Sequence, residues 1–260
     1  MFVIVRAAIA PITVQPSLRA EQVSQLVLGE TATLEERAGD WRRVRCDHDG
    51  YSGWIHAGYL LESDGVAAQR WRRDASGWSF GATLAAEGQR VRLPLRARVA
   101  LDDGKVRLPD GRRAELVEGH LVQMGDVTAA ARAQPPERWA LECFDGAPYE
   151  WGGVTPWGVD CSGLVQTTFA ARGVAFPRDA ALQVDLGEVV QPGAHRPGDL
   201  LFFRGDGGDR ITHVAFAAEA DTLIHSTVSC GGVLVEPWLP GTRAAVLRER
   251  LVAVRRLEQR

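Results

Sequence analysis

Cys161 stands where a glycine-rich approach turns into a helical pattern, Tyr149-Glu-Trp-Gly-Gly-Val-Thr-Pro-Trp-Gly-Val-Asp-Cys-Ser-Gly-Leu-Val-Gln166. A thiol in the first turn of a helix meets the partial positive charge of unpaired backbone N–H groups, which favours thiolate over thiol. The glycines ahead of it let a substrate backbone come close, and N–H groups at the helix start can hold a developing oxyanion. Taken alone, such a cysteine is as readily a small, inert, buried side chain. A nucleophile also needs a base, and the histidines are His48, His56, His120, His195, His213 and His225. His213 opens His-Val-Ala-Phe-Ala and His225 closes Thr-Leu-Ile-His, twelve residues on, with Glu219-Ala-Asp221 between them as a hairpin turn. Two antiparallel strands would bring both imidazoles to one end of a sheet. One imidazole can then take the proton of Cys161 while the second orients the first. A single strand histidine reads as an ordinary hydrogen-bonded residue; the coincidence of the three side chains reverses that reading.

Competing uses of these residue types find less support. No Cys-x-x-Cys, His-x-x-x-His or His-Glu-x-x-His spacing occurs, so no metal site and no other cofactor is expected. Cys46, Cys143 and Cys230 lie in apolar or turn segments without a basic partner, and four dispersed cysteines make no disulfide framework in 260 residues. The run Gly205-Asp-Gly-Gly208 lacks the Lys-Ser/Thr of a phosphate-binding loop and reads as a hairpin tip.

The elements that must position this chemistry follow from patterning. Asp160 can cap a helix through Arg172, whose apolar face is Leu164, Val165, Thr168 and Phe169 and which Gly173 stops. Glu137–Phe144 reads as another helix, with Pro136 suited to its start. Strands are expected at Leu200–Phe203, Val214–Ala218, Leu223–His225, Val233–Glu236 and Leu251–Arg255. A helix followed by an antiparallel sheet is an α+β domain. Ahead of Pro135-Pro136 the texture is different: short alternating runs such as Val3–Val5, Leu26–Leu28, Ala32–Glu35, Trp41–Cys46 and Gly53–Ile55, split by turns at Gly39-Asp40 and Asp49-Gly50. The segment 89–127 repeats it, with a turn at Asp110-Gly111. The expected division is 1–63, 64–127 and 128–260.

Composition bounds the function class. A net charge of −3 disfavours a nucleic-acid binder relying on bulk positive charge. No run approaches the roughly 18 apolar residues of a membrane-spanning helix. Met-Phe-Val-Ile-Val-Arg lacks a positive lead-in to its apolar run, so a cytoplasmic location is expected.

Tyr149-x-Trp-Gly-Gly, Asp160-Cys-Ser-Gly-Leu-Val-Gln166, Phe176-Pro-Arg-Asp179, Arg196-Pro-Gly-Asp-Leu-Leu-Phe-Phe203, His213-Val and Ile224-His225 together resemble the NlpC/P60 family of papain-like cysteine peptidases. Pro16-Ser17, Gly29-Glu30, Gly39-Asp-Trp-Arg-Arg-Val-Arg45, Tyr51-x-Gly-Trp-Ile55 and Tyr59-Leu60 are similar to a bacterial SH3 module; a second module follows less clearly. The resemblance implies two small SH3-like β-barrels ahead of a papain-like catalytic domain. It implies Cys161 as nucleophile, His213 as general base, His225 as the polar third member, and Tyr149 facing the same site. It implies hydrolysis of the γ-D-glutamyl–diamino acid bond in free murein stem peptides, L-Ala-γ-D-Glu-diamino acid. By similarity Asp160, Ser162 and Asp179 contact the substrate's amino end, with Glu21 and Tyr51 of the first module adding to that pocket. Ala180 stands where the group usually has serine, which removes one hydroxyl contact. A buried ammonium needs carboxylates beside it, so such a pocket selects a free N-terminal L-Ala over a blocked one. The alternatives are a secreted hydrolase of intact peptidoglycan and a non-catalytic wall-peptide binder; the complete Cys161, His213 and His225 set speaks against the binder.

Overall fold

The computed structural model describes residues 1–102, 105–191 and 193–257. The chain divides into two compact units, Met1–Thr128 and Ala129–Arg260.

Alternating apolar residues build the first sheet of the N-terminal unit. Its strands are β1 (Phe2–Val5), β2 (Ile9–Thr13), β3 (Gln22–Val27), β4 (Thr31–Ala38), β5 (Trp41–Cys46), β6 (Ser52–His56) and β7 (Leu60–Ser63). They pair in the order β3-β2-β6-β5-β4-β1-β7. Val3, Val5, Ala10, Ile12, Leu26, Ala32, Val44 and Ile55 point inward as one core. Gly39 and Gly50 take the left-handed backbone (φ 54° and 74°) that the β4–β5 and β5–β6 turns require.

Helix α1 (Gly65–Asp74) is an element the sequence patterning did not announce. Asp64 caps it, its carboxylate accepting the Ala67 N–H at 2.7 Å. The helix buries only Ala68 and Trp71, and the Trp71 indole N–H donates to the Gly29 carbonyl at 2.8 Å. The second sheet follows: β8 (Gly77–Ser79), β9 (Thr83–Ala86), β10 (Gln89–Arg92), β11 (Arg98–Asp102), β12 (Lys105–Arg107), β13 (Arg113–Glu118) and β14 (Leu121–Gln123), in the order β10-β9-β13-β12-β11-β8-β14. It starts at Gly77, ahead of the expected segment. The two sheets are joined inside this unit. The Arg98 N–H donates to the Leu28 carbonyl at 2.7 Å. Arg96, buried and held at φ 79°, grips both oxygens of Glu30 at 2.7 and 3.2 Å.

Helix α2 (Met124–Arg132), also unannounced, runs across the division between the units. The C-terminal unit continues with α3 (Pro136–Phe144), the two-stranded pair β15 (Val154–Thr155) and β16 (Gly158–Val159), α4 (Cys161–Ala171) and α5 (Ala180–Gln183). Its sheet comprises β17 (Glu188–Val190), β18 (Leu200–Arg204), β19 (Ile211–Ala218), β20 (Thr222–Thr227), β21 (Gly232–Pro237) and, after the short α6 (Arg243–Arg248), β22 (Leu251–Arg256). The order is β17-β22-β18-β19-β20-β21, every pair antiparallel. Helix α4 is almost wholly buried, and its Phe169 stacks on Phe176 and meets Phe216 of β19. The alternate residues Leu201, Phe203, Ala215, Ala217 and Leu223 bury instead with Trp238, Ala244 and Leu247. The sheet is therefore covered on both faces. Among the described residues no helix is long and apolar enough to cross a membrane.

Candidate active site

Asp160 fixes where α4 begins. Its Oδ1 accepts the Gly163 N–H at 2.7 Å, capping the helix, and its Oδ2 accepts the Gly152 N–H at 2.8 Å, tying the glycine-rich approach to the same point. Arg178 closes on this carboxylate as a fork, Nη1 to Oδ1 at 3.0 Å and Nη2 to Oδ2 at 2.6 Å. Nη1 also donates to the Ser162 hydroxyl at 2.8 Å, and that hydroxyl donates to Asp160 Oδ1 at 3.2 Å. Both oxygens of Asp160 and the hydroxyl of Ser162 are thus engaged within the protein, and both residues are buried. These bonds hold the turn that carries Cys161. Asp179, half-buried, sits at the N-terminal cap of α5 without capping it, and Ala180 follows it.

The hairpin places the base. Ala218 pairs with Thr222, Ala217 with Leu223 and Phe216 with Ile224, with Ala220 and Asp221 in left-handed backbone at the turn between. His213 on β19 and His225 on β20 come together on one side of the sheet, Nε2 of His213 lying 2.9 Å from Nδ1 of His225. The backbone amide of Val214, next to His213, lies at the sulfur of Cys161. Nε2 of His213 is thus turned to His225, which leaves Nδ1 as its other ring nitrogen. Behind His225 stands a residue that spacing did not single out: Glu236 of β21, whose Oε2 is 3.1 Å from His225 Nε2. Its strand partner explains the contact, since Leu234 pairs with His225 and Glu236 lies two residues further along the same face. Glu236 also accepts the Arg243 N–H on Oε1 at 2.7 Å and the Ala244 N–H on Oε2 at 3.0 Å.

The electrostatics differ from the helix-start expectation for Cys161. Burial pushes the thiol up to about 12, the charge of Asp160 adds to this, and the amides of Val214 and Ser162 and the charge of Arg178 pull weakly the other way. Burial drives His213 well below its ordinary value, with the fields of His225 and Arg243 adding. His225 is lowered to about 4, again by burial first and by Arg243 second. The resting couple is thus a thiol and a neutral imidazole, because a dry site disfavours an ion pair until chemistry creates one. Tyr149 lies at the same place: burial raises its phenol, and Cys161 and Asp160 raise it further, so the hydroxyl keeps its proton as a donor.

Two of the sequence candidates, Glu21 and Tyr51, belong to the N-terminal unit. Glu21 is exposed just ahead of β3, and Tyr51 packs on the core of the first sheet with its N–H on Asp49. Cys46 and Cys143 are covered and their thiols raised, Cys230 is exposed on the turn Val228–Cys230, and all are free. Gly205-Asp-Gly-Gly208 lies in the connection from β18 to β19, as expected. Among the described residues no three His, Cys, Asp or Glu side chains gather as a metal site.

Comparison with known proteins decides the family. The NlpC/P60 family profile matches residues 146–255, and that of the bacterial dipeptidyl-peptidase SH3 domain matches residues 12–60. A probable endopeptidase of Haemophilus influenzae is 35% identical over 115 residues, covering 43% of this chain and 68% of that protein. The chain belongs to the NlpC/P60 family. The γ-D-glutamyl-L-lysine dipeptidyl-peptidase of Bacillus subtilis is 27% identical over 218 residues, 78% of this chain and 71% of that protein. A solved NlpC/P60 family protein from Bacillus cereus shares the fold, with a TM-score of 0.79 over 98% of this chain and 99% of that one at 22% identity. The chain is therefore α+β, SH3-like sheets preceding an NlpC/P60 peptidase domain.

Proposed function

We propose that this NlpC/P60 peptidase cuts the γ-D-glutamyl–diamino acid bond of free murein stem peptides that carry an unblocked N-terminal L-Ala. The observation that carries the reading is the His213–His225 pair, with the Val214 amide next to His213 at the Cys161 sulfur, in a chain whose relatives include a γ-D-glutamyl-L-lysine dipeptidyl-peptidase. Nδ1 of His213 takes the thiol proton as sulfur attacks the γ-carbonyl carbon, so the ion pair forms only as the bond is made. The carbonyl oxygen becomes an oxyanion, with the start of α4 and the Tyr149 hydroxyl as its donors. His213 then protonates the departing amine of the diamino acid, leaving a thioester on Cys161. Water, deprotonated by His213, hydrolyses the thioester and restores the thiol.

Selection of a free amino end falls to Asp179, because Arg178 already neutralises Asp160. A carboxylate facing an ammonium favours the free peptide over a blocked one, which brings no positive charge. A panel of stem peptides with free and blocked N-termini, read by mass spectrometry, tests this directly. L-Ala-γ-D-Glu should appear only from the free peptides and should vanish with Cys161→Ala. Equal cleavage of blocked peptides, or loss of turbidity from purified sacculi, would replace the proposal with a wall hydrolase.

A further inference from the structure

We propose that Glu236 is a positioning residue that fixes the tautomers of both histidines, so that the lone pair of the base is turned toward the thiol. The inference rests on the reading of Cys161 as nucleophile and His213 as base.

Two backbone N–H groups, those of Arg243 and Ala244, and one ring nitrogen of His225 converge on the carboxylate of Glu236. Oε1 and Oε2 each already accept a backbone N–H, an arrangement that suits the ionised carboxylate, which only accepts. The acceptor-only form therefore requires the proton of His225 to sit on Nε2. His225 is fully buried, and burial with the charge of Arg243 keeps it neutral, so Nε2–H leaves Nδ1 bare. A bare Nδ1 must accept from the nitrogen 2.9 Å away, which puts the proton of His213 on Nε2. Nδ1 of His213 is then a lone pair, as a base for Cys161 has to be. The reverse order fails at both ends. With His225 protonated on Nδ1, its bare Nε2 would face a carboxylate oxygen, two lone pairs 3.1 Å apart in a dry site. His213 would accept on Nε2, carry its own proton on Nδ1, and point a hydrogen at the thiol.

The arrangement also explains why the carboxylate is held from behind. Its two backbone donors belong to the first residues of α6, whose own start is capped by Thr242 through the Ala245 N–H. The helix gives Glu236 a fixed seat, and the seat sets the direction in which protons can lie along Glu236, His225 and His213. Among the described residues, Glu236 on β21 and Arg243 on α6 are charged groups that bear on the pair, and neither belongs to a strand that carries a histidine.

Nitrogen NMR of the full chain, labelled with ¹⁵N-histidine and assigned by single histidine substitutions, reads the tautomers without any substrate. Neutral His213 and His225, both protonated on Nε2 at pH 7, is the expected result; a proton on Nδ1 of either overturns the proposal, whatever peptide the enzyme cuts. Glu236→Gln supplies the kinetic counterpart, because an amide NH₂ can face His225 Nε2 and reverse the order. It should lower kcat by about 10²–10⁴-fold with little change in KM, the size of loss that a wrong tautomer brings. In a His225→Ala background the same change should cost at most about twofold, since Glu236 acts only through His225. An equal loss in both backgrounds would show a merely structural role. Should Glu236→Gln fail to fold, the tautomers of the unmutated chain still decide the matter.

Discussion

Arg178 and Asp160 form a two-pronged ion pair, at 2.6 and 3.0 Å, directly beneath the first turn of the helix that begins with Cys161. The pair is buried, so its two members do not act independently. Removing the guanidinium leaves a buried carboxylate without its counter-charge, which costs about 3–5 kcal/mol. Arg178→Ala should therefore lower stability in urea by that amount. Arg178→Lys should recover only part, because one ammonium cannot reach both oxygens and the Ser162 hydroxyl together. A loss under about 1 kcal/mol for Arg178→Ala would contradict the assignment of this pair as the anchor of the helix start.

Stability should depend on pH through His225. Its folded value of about 4 lies below the ordinary 6.5, so between these values the unfolded chain takes up a proton that the folded chain refuses. The contribution of the neutral ring is intact above about pH 6.5, falls as pH drops through the window, and is lost below about 4. The 2.5-unit gap amounts to about 3 kcal/mol, and His213 adds to it in the same direction. Urea midpoints at pH 7.5 and 4.5, measured on the protein and on His225→Gln, check this: the slope should shrink in the variant.

The rate should keep its base further into acid than a free imidazole would allow. His213 must be neutral to accept the thiol proton, and its lowered value places the acid limb of kcat/KM below pH 6.5. With the thiol pushed up to about 12, no thiolate absorbance belongs to Cys161 at neutral pH, and alkylation by iodoacetamide should still be climbing at pH 9. A plateau of alkylation near pH 7 would mean a standing thiolate–imidazolium pair instead.

Gly163 tests the packing of the approach loop on the helix. A methyl group there would run into the backbone carbonyl of Gly153 and crowd Asp160 Oδ1 at 3.2 Å. Helix propensity favours alanine by about 1 kcal/mol, yet overpacking against backbone costs about 1–3 kcal/mol and also displaces the turn that holds Cys161. Gly163→Ala should lose both stability and activity. Gly208→Ala, with open space around its Cβ, should stay within about 0.5 kcal/mol of the parent.

The three side chains that meet at the site were legible because each sits at a local landmark. Cys161 follows a capping aspartate, and the two histidines bracket a turn of hairpin length. Glu236 was not legible, since an acid in Val-Glu-Pro reads as a strand residue facing solvent and its meaning depends on the β20–β21 register, which spacing does not supply. Arg178 lay inside a motif that had been quoted for its neighbour Asp179. The direction of the Cys161 shift was missed for a related reason: helix-start amides are visible in sequence, whereas the burial that outweighs them comes from elements distant in the chain. Helix α1 escaped because Ala68 and Trp71 alone give it an inward face, and Arg70, Arg72 and Arg73 surround the tryptophan with charge.

The clasp of Arg96 on Glu30 bears on how such chains are assembled over evolutionary time. Arginine occupies a left-handed conformation, which costs about 1–3 kcal/mol outside glycine, to reach a carboxylate in the other sheet. Trp71 adds an indole bond to Gly29 in the same stretch. A chain that gained or shed one of these sheets alone would strand a buried acid on one side or a buried guanidinium on the other. Trading one of the two sheets alone would break the Glu30–Arg96 ion pair and the Trp71–Gly29 hydrogen bond together.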